Sequence, residues 1–466
     1  MPEVRLIESV LRNTEQSFIP TRMRFEEIAP ILPTMDEVGY YALDAWGGSS
    51  FEAELVYLDE DPWVRLRAMR KLLKKTKILM TFRGQNMLGY RNYGDDIVSY
   101  FIEKAASNGV NIIRVIDGLN DVRNMETSMA TAKKKKLEIQ ATMAYNECPD
   151  QNEAFFLEYA KQLEGMGADS ICVKDMSGLL TPAKSFDFVS ELVKAVKVPV
   201  FLHLHGVQDY VSVSAYKAIE AGATGVDTSI STLGIRSGFP STEMMVKMLD
   251  GMPNAPKINK ENLALVHRFF ADKRSEYVKE EKLSAKQLDF EKEVVDYNIS
   301  VGTIYNIAYQ LEKEGKIELL PEILEEVHRV RADCGMPPLV TPFAQIVSGQ
   351  AILNILAGAR YRSVTREFKG LVRGEFGKTP MKIERMFRAM IVGTDDLIDC
   401  RPADLIPAEM VTLRGELPVE YVEQDEDILT YAQFGKPAVG YFKRRRNEKY
   451  GIDSQLSDPE EKIYPV

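Results

Sequence analysis

Short runs of β-branched and other apolar residues recur through the first half of the chain, and between them apolar positions return every three or four residues. Eight such runs precede residue 232: Val4 to Leu11, Tyr40 to Trp46, Lys77 to Phe82, Asn111 to Ile116, Glu138 to Ala144, Ala168 to Val173, Val198 to Leu204 and Gly225 to Ile230. Pro62 to Lys75, Gly94 to Asn108, Asn152 to Met166 and Ala183 to Ala195 carry the helical period between them. Eight strand-helix repeats predict an α/β fold, a TIM (β/α)8 barrel, with its chemistry at the carboxyl ends of the strands. After about residue 250 the alternation stops and charged helical patterns such as Glu261 to Lys282 and Glu322 to Ala332 take over. We therefore expect a barrel domain over residues 1–250 and a mostly helical C-terminal domain over 251–466. Within the latter, Leu339 to Pro342 is expected to return toward the barrel mouth. The stretch from about Glu416, with Leu429-Thr430-Tyr431 and Tyr441-Phe442, is expected to dock on the body or on a partner.

Composition narrows the class. At 466 residues, 45% hydrophobic and 27% charged, the chain has material for a large core. No apolar stretch approaches membrane-spanning length, and Met1-Pro2-Glu3-Val4-Arg5 does not open a signal segment, so a cytoplasmic protein is expected. The four cysteines show no Cys-x-x-Cys spacing, which argues for reduced thiols. A net charge of -10 disfavours a phosphate backbone as partner, so no nucleic acid is expected. The basic run Lys133 to Lys136 is expected to close a helix, and Arg444 to Arg446 to be a solvated face.

Two of the four histidines stand as His203-Leu204-His205 at the end of the seventh run. Strand alternation sends both imidazoles to one face, as a pair of metal ligands requires. The bland alternative is one satisfied core histidine and one exposed. The preceding run delivers Lys174-Asp175 at the corresponding end. An ammonium repels a cation, but carbamylation by CO2 turns a lysine into an anionic oxygen ligand, and with the two histidines it would suit zinc, manganese or cobalt. A Lys174-Asp175 surface ion pair is the alternative for that dipeptide. Other polar strand ends are Arg12-Asn13, Trp46-Gly47-Gly48, Arg83-Gly84-Gln85-Asn86, Asp117, Tyr145-Asn146 and Ser231.

Taken in order, Trp46-Gly47-Gly48, Asp61-Pro62-Trp63, Arg83-Gly84-Gln85-Asn86 with Gly89-Tyr90, and Leu119-Asn120-Asp121 resemble the carboxyltransferase subunit of biotin-dependent enzymes. The likeness continues through Lys174 to Pro182, Pro337 to Pro342 and Cys400-Arg401-Pro402-Ala403-Asp404. That family includes the oxaloacetate decarboxylase α subunit, the transcarboxylase carboxyltransferase subunit and the matching part of pyruvate carboxylase. The resemblance implies that Lys174 is the carbamylated ligand and His203 and His205 the histidine ligands. It also implies that Arg83 and Gln16 hold a 2-oxo acid of the pyruvate or oxaloacetate type, and that Thr341 shuttles the proton between the substrate methyl and the biotin ureido nitrogen. Several positions depart from the pattern. Asn13 stands where the family has a ligand aspartate, leaving a neutral and weaker ligand. Gly206-Val207-Gln208-Asp209, Ser300-Val301-Gly302-Thr303, and Phe343 with Ala344 also differ, and are expected to alter what the mouth binds.

No Ala-Met-Lys-Met-like biotinylation turn and no P-loop occur, so biotin is expected on a separate biotin carboxyl carrier protein, alongside other carboxylase or decarboxylase subunits. A homo-oligomer is also expected. Two other readings stay open on the residues alone: a non-catalytic assembly paralogue, and a biotin-independent metal barrel of the acyl-CoA lyase or synthase kind.

Overall fold

The computed structural model describes residues 2–14, 23–206, 208–234, 238–280 and 290–451. Eight parallel strands close into a barrel in sequence order: β1 (Arg5–Glu8), β2 (Ala42–Gly47), β3 (Lys77–Phe82), β4 (Ile112–Ile116), β5 (Glu138–Ala144), β6 (Ser170–Asp175), β7 (Val200–Leu204) and β8 (Gly225–Thr228), with β8 pairing back onto β1. The TIM barrel expected from the alternation is the observed fold. Strand pleating sorts each strand into two sets. Ile78, Met80 and Phe82 of β3, and Ile113 and Val115 of β4, join the large apolar cluster that also takes in the surrounding helices. The inward set begins with an apolar plug of Ile7, Ala42, Leu79, Ile112, Cys172 and Phe201. Two residues further along, the same inward rows become polar and fully or nearly fully buried: Asp44, Thr81, Arg114, Lys174, His203 and Asp227.

Two local irregularities matter for the site. β1 is shorter than its apolar run because the chain turns into a single π-helical turn, Val10–Thr14. Glu8 fastens that departure, accepting from the Val10 amide at 3.0 Å and the Ile230 amide at 3.1 Å. In β2 the register to β3 shifts between Asp44 and Trp46. Asp44 thus stays in the barrel while Trp46 turns outward against Trp63, 5.0 Å between ring centroids.

The helices around the barrel begin and end on recognisable signals. Asp61 caps Pro62–Leu72 by accepting from the Trp63 and Val64 amides. Lys133 and Lys134 fill the last turn of Glu126–Lys134, where their charge suits the helix dipole. Helix Lys260–Lys279 buries Leu263, Val266, Phe270 and Tyr277 in the barrel's outer cluster. A separate apolar cluster forms among the later helices, from Phe290 to Ile391, and includes Leu119 of the β4 loop. The last helices dock on the barrel side of the molecule: Leu417, Ile428, Ala438, Tyr441 and Phe442 pack with Leu55. Among Arg444 to Arg446 the central residue corrects the expectation of a solvated face. Arg445 is only 16% exposed and pairs with Asp427 at 2.8 Å, because its position in helix Lys436–Tyr450 turns it inward. Among the described residues, no helix is long and apolar enough to cross a membrane.

The later helices reach the barrel mouth through Val340 and Thr341, and one residue anchors that segment. Phe343 is fully buried in the helical cluster, edge-on to Phe376 at 5.7 Å. Its ring lies so close to Gly118 on the β4 loop that a Cβ there would come within 2.6 Å of it. Phe343→Ala should therefore leave a cavity where barrel and helices meet and cost about 3–5 kcal/mol. Urea unfolding checks this; a loss below about 1 kcal/mol would mean that Phe343 is not the anchor.

Candidate functional site

A cavity of about 60 Å³ opens at the carboxyl ends of the strands, walled by Arg12, Asn13, Thr81, Arg83, Lys174 and Thr341 together with Gly48, Ile116, Met176 and Val340. The β6–β7 register sets Lys174 directly beside His203. Nε2 of His203 is 3.1 Å from Nε2 of His205 and 3.1 Å from the side-chain nitrogen Nδ2 of Asn13, whose Oδ1 is its one possible ligand atom. Phe239 packs against both imidazoles, 4.2 Å from the His205 ring centroid and 5.1 Å from that of His203. Two nitrogens bound to one zinc at about 2.0–2.1 Å lie roughly 3.0–3.4 Å apart, so this spacing suits ligands on a shared ion. The structure thus brings together Asn13, Lys174, His203, His205, Arg83 and Thr341. Gln16 lies outside the described residues. Among the described residues, no three His, Cys, Asp or Glu side chains group to hold a metal. A metal here therefore depends on Asn13 and Lys174 as the remaining donors.

Charge in the mouth is paired with care. Arg12 donates from Nε and Nη2 to both Asp44 oxygens at 2.6 Å. Arg83 donates from Nη2 to the Gly89 carbonyl at 2.9 Å. Its Nε is buried without a hydrogen-bond partner, which an arriving acceptor would satisfy. Thr341 Oγ accepts from Gln345 at 3.2 Å. Burial, with the positive charges of Arg12 and Arg114, pulls the Lys174 pKa down to about 7. Much of it is then a neutral amine near neutrality, the form that adds to CO2. Burial, followed by Lys174 and other nearby positive groups, holds His203 well below its usual range, so its ring is neutral.

Several polar strand ends named from the sequence serve structure instead. Asp175 does not pair with Lys174: it turns back to accept the Ser177 and Leu180 amides at 3.0 and 2.8 Å. Asp117 likewise holds the Leu119 and Asp121 amides at 3.0 and 2.9 Å. Asn146 donates to the Met336 carbonyl at 3.0 Å, and Ser231 to Glu243 at 3.0 Å. Phe343 and Ala344 are both buried and are not among the residues that wall the cavity. Ser300 is the N-cap of helix Val301–Lys313, accepting from the Thr303 amide. Sequence reasoning gave no role to Arg12, Asp44, Thr81, Arg114 or Asp227. The available signal was a polar residue two positions beyond an inward apolar one, as in Leu79-x-Thr81 and Ile112-x-Arg114.

The depressed Lys174 pKa carries a stability signature. Below pH 7 the folded chain holds a buried ammonium at full cost. The cost falls as pH rises through about 7 and vanishes at the reference value of 10.5. In metal-free, CO2-free buffer, Lys174→Met should gain most over the parent at pH 6, less at pH 8 and nothing from this source at pH 10.5. Urea unfolding at the three values checks it; a pH-independent difference would contradict the assignment.

Comparison with known proteins places the chain. The HMGL-like family model matches residues 4–269, and the model described as a conserved carboxylase domain matches residues 294–462. A pyruvate carboxylase subunit of Methanocaldococcus jannaschii is 40% identical over 442 residues, spanning 94% of this chain and 78% of that protein. The methylmalonyl-CoA carboxyltransferase 5S subunit of Propionibacterium freudenreichii subsp. shermanii is 36% identical over 470 residues, spanning 97% of this chain and 91% of that protein. The carboxyl transferase domain of Rhizobium etli pyruvate carboxylase, solved with 3-bromopyruvate, superposes with a TM-score of 0.91 at 24% identity over 96% of this chain and 78% of that one, a likeness of fold. The chain belongs to the family of biotin-dependent carboxyltransferase subunits that contains the archaeal pyruvate carboxylase subunit and the methylmalonyl-CoA carboxyltransferase 5S subunit.

Proposed function

We propose that this chain moves a carboxyl group between biotin carried by a partner protein and a small 2-oxo acid of the pyruvate or oxaloacetate type, with a divalent metal at the mouth. The observation that carries the reading is the convergence of the His203 and His205 Nε2 atoms, 3.1 Å apart, beside Lys174 and Asn13, across a cavity from Arg83 and Thr341. His203, His205, Asn13 and carbamylated Lys174 are the residues that would hold the ion. Carbamylation forms the Nζ–C bond to CO2 and releases one proton, leaving an anionic oxygen donor. Zinc, manganese or cobalt in that set supplies positive charge that favours the enolate form of the 2-oxo acid.

The chain's own residues do the rest. Arg83, whose guanidinium retains an unpartnered donor, pairs with the substrate carboxylate in the fork geometry that lysine lacks. Gln16 is proposed as a second substrate contact. Thr341 accepts a proton from the substrate methyl carbon and donates one to the biotin ureido nitrogen, which a hydroxyl can do and a methyl cannot. Ile116, Met176 and Val340 give this exchange an apolar wall that limits water. A biotin carboxyl carrier and further carboxylase or decarboxylase subunits are the partners this chemistry needs, on a homo-oligomeric body of a barrel domain (1–250) and a helical domain (251–466) whose first helix, Lys260–Lys279, packs on the barrel.

Two variants test the assignment. Thr341→Ala should lower carboxyl transfer by about two to four orders of magnitude. Metal content measured on the same preparation should be unchanged; transfer at the parent rate would remove Thr341 from the mechanism. Asn13→Asp restores a charged ligand and should tighten zinc binding. A titration showing equal or weaker binding would mean that the site is built around asparagine and that its ligand set differs from the one proposed.

A further inference from the structure

One row of inward side chains, none of them exposed to solvent, runs beneath the mouth from β5 through β4 and β8 to β7. Arg114 on β4 donates from Nε to Gln140 Oε1 on β5 at 2.5 Å and from Nη2 to Asp227 Oδ1 on β8 at 2.8 Å. Its Nη1 also contacts Asp227 Oδ2, completing a bidentate pair. The same Oδ2 lies 2.6 Å from Nδ1 of His203 on β7. Arg114, Gln140, Asp227 and His203 are each 0% exposed. A pair taken wholly out of water is costly to install and rarely adds stability over apolar packing, so its presence calls for a role.

From this row we infer that Asp227 and Arg114 are positioning residues that fix the tautomer of His203, so that Nδ1 carries the ring proton and Nε2 presents its lone pair at the mouth. Both Asp227 oxygens already accept from the guanidinium fork, so the 2.6 Å approach of Oδ2 to Nδ1 is a hydrogen bond whose proton sits on the imidazole nitrogen. Arg114 Nη1 also lies 3.1 Å from Nδ1. It cannot accept, and Asp227 Oδ2 is the nearer acceptor for both Nη1 and Nδ1, so the carboxylate is the acceptor the two nitrogens share. The Asn13 amide on the opposite side of the ring, 3.1 Å from Nε2, is a donor facing a bare nitrogen, which agrees with the same assignment. Because the two strands are closed into one barrel, Asp227 also sets the ring's orientation, as partners of metal-bound histidines commonly do. The inference rests on the reading of His203 as a metal ligand.

The chain has four histidines, which makes the tautomer directly readable. In ¹⁵N-histidine-labelled, metal-free full-length protein, the resonances lost in His203→Gln identify the ring. They should show a protonated Nδ1 and a bare Nε2 in the parent. A parent ring protonated at Nε2 would overturn the inference without need of any Asp227 variant. In Asp227→Asn the new amide can turn its NH2 toward Nδ1, and the resonances should move toward the Nε2–H form. Zinc(II) affinity should fall about 10–100-fold while the metal-free circular dichroism spectrum is unchanged. Parent-like zinc affinity in Asp227→Asn, with zinc lost in His203→Gln, would reject the positioning role alone. Zinc retained at full stoichiometry in His203→Gln would reject the ligand reading of His203, and with it the role given to Asp227.

Discussion

The buried ion pair between Arg114 and Asp227 is the constraint around which the site is organised. It spans the barrel interior from β4 to β8, between an apolar plug below and the mouth above. Two charges without water need several hydrogen bonds to be tolerable, and this pair has them in Gln140 and His203. The consequence is a fixed polar layer. His203 is held from beneath, and Lys174 lies beside it in the next strand, deprived of solvent and facing two guanidinium groups. A lysine in that setting sheds its proton near neutrality, which is the condition for becoming an anionic donor. The ligand chemistry proposed for the top of the barrel therefore rests on the buried charges packed around it.

The residues that mark the family fall into two physical kinds. Some reach the mouth: Arg83, Lys174, His203, His205 and Thr341. Others join the barrel to the later helices. Arg401 is the clearest of these: it donates to Asp95 at 2.6 and 2.9 Å, to Gln85 at 3.2 Å and to Thr127 at 2.8 Å, clasping the loop that follows Arg83. Asp121 accepts from the Lys378 amide at 2.9 Å, and Trp63 donates to Thr430 at 3.1 Å. The mouth is made from two parts of the chain far apart in sequence, so the joints between them determine where Thr341 stands relative to Lys174.

The barrel was legible because its signal is local. Eight apolar runs alternating with helical periods leave little freedom in topology, and the observed strands fall within those runs or within two residues of them. Strand ends were less legible: β1 stops at Glu8 because a buried carboxylate captures the Val10 amide, which no apolar pattern reports. His203, His205 and Lys174 stood out because rare chemistry at strand ends is also local. Arg114 and Asp227 did not, since their meaning lies in a contact across 113 positions. The same holds for Asp175, whose carboxylate serves a turn, and for Phe343, whose ring packs against Gly118. Each looked like site chemistry or a substitution at the site until the packing direction was known.

The central claim is that this mouth exchanges a carboxyl group with biotin. The most direct measurement is pyruvate release from oxaloacetate by the purified, zinc- or manganese-replete chain, with and without biocytin as a soluble stand-in for carrier-bound biotin. The account predicts release that rises with biocytin above the spontaneous and metal-only background, because the departing carboxyl must pass to the ureido nitrogen. Release indifferent to biocytin from a metal-replete and folded chain would contradict it.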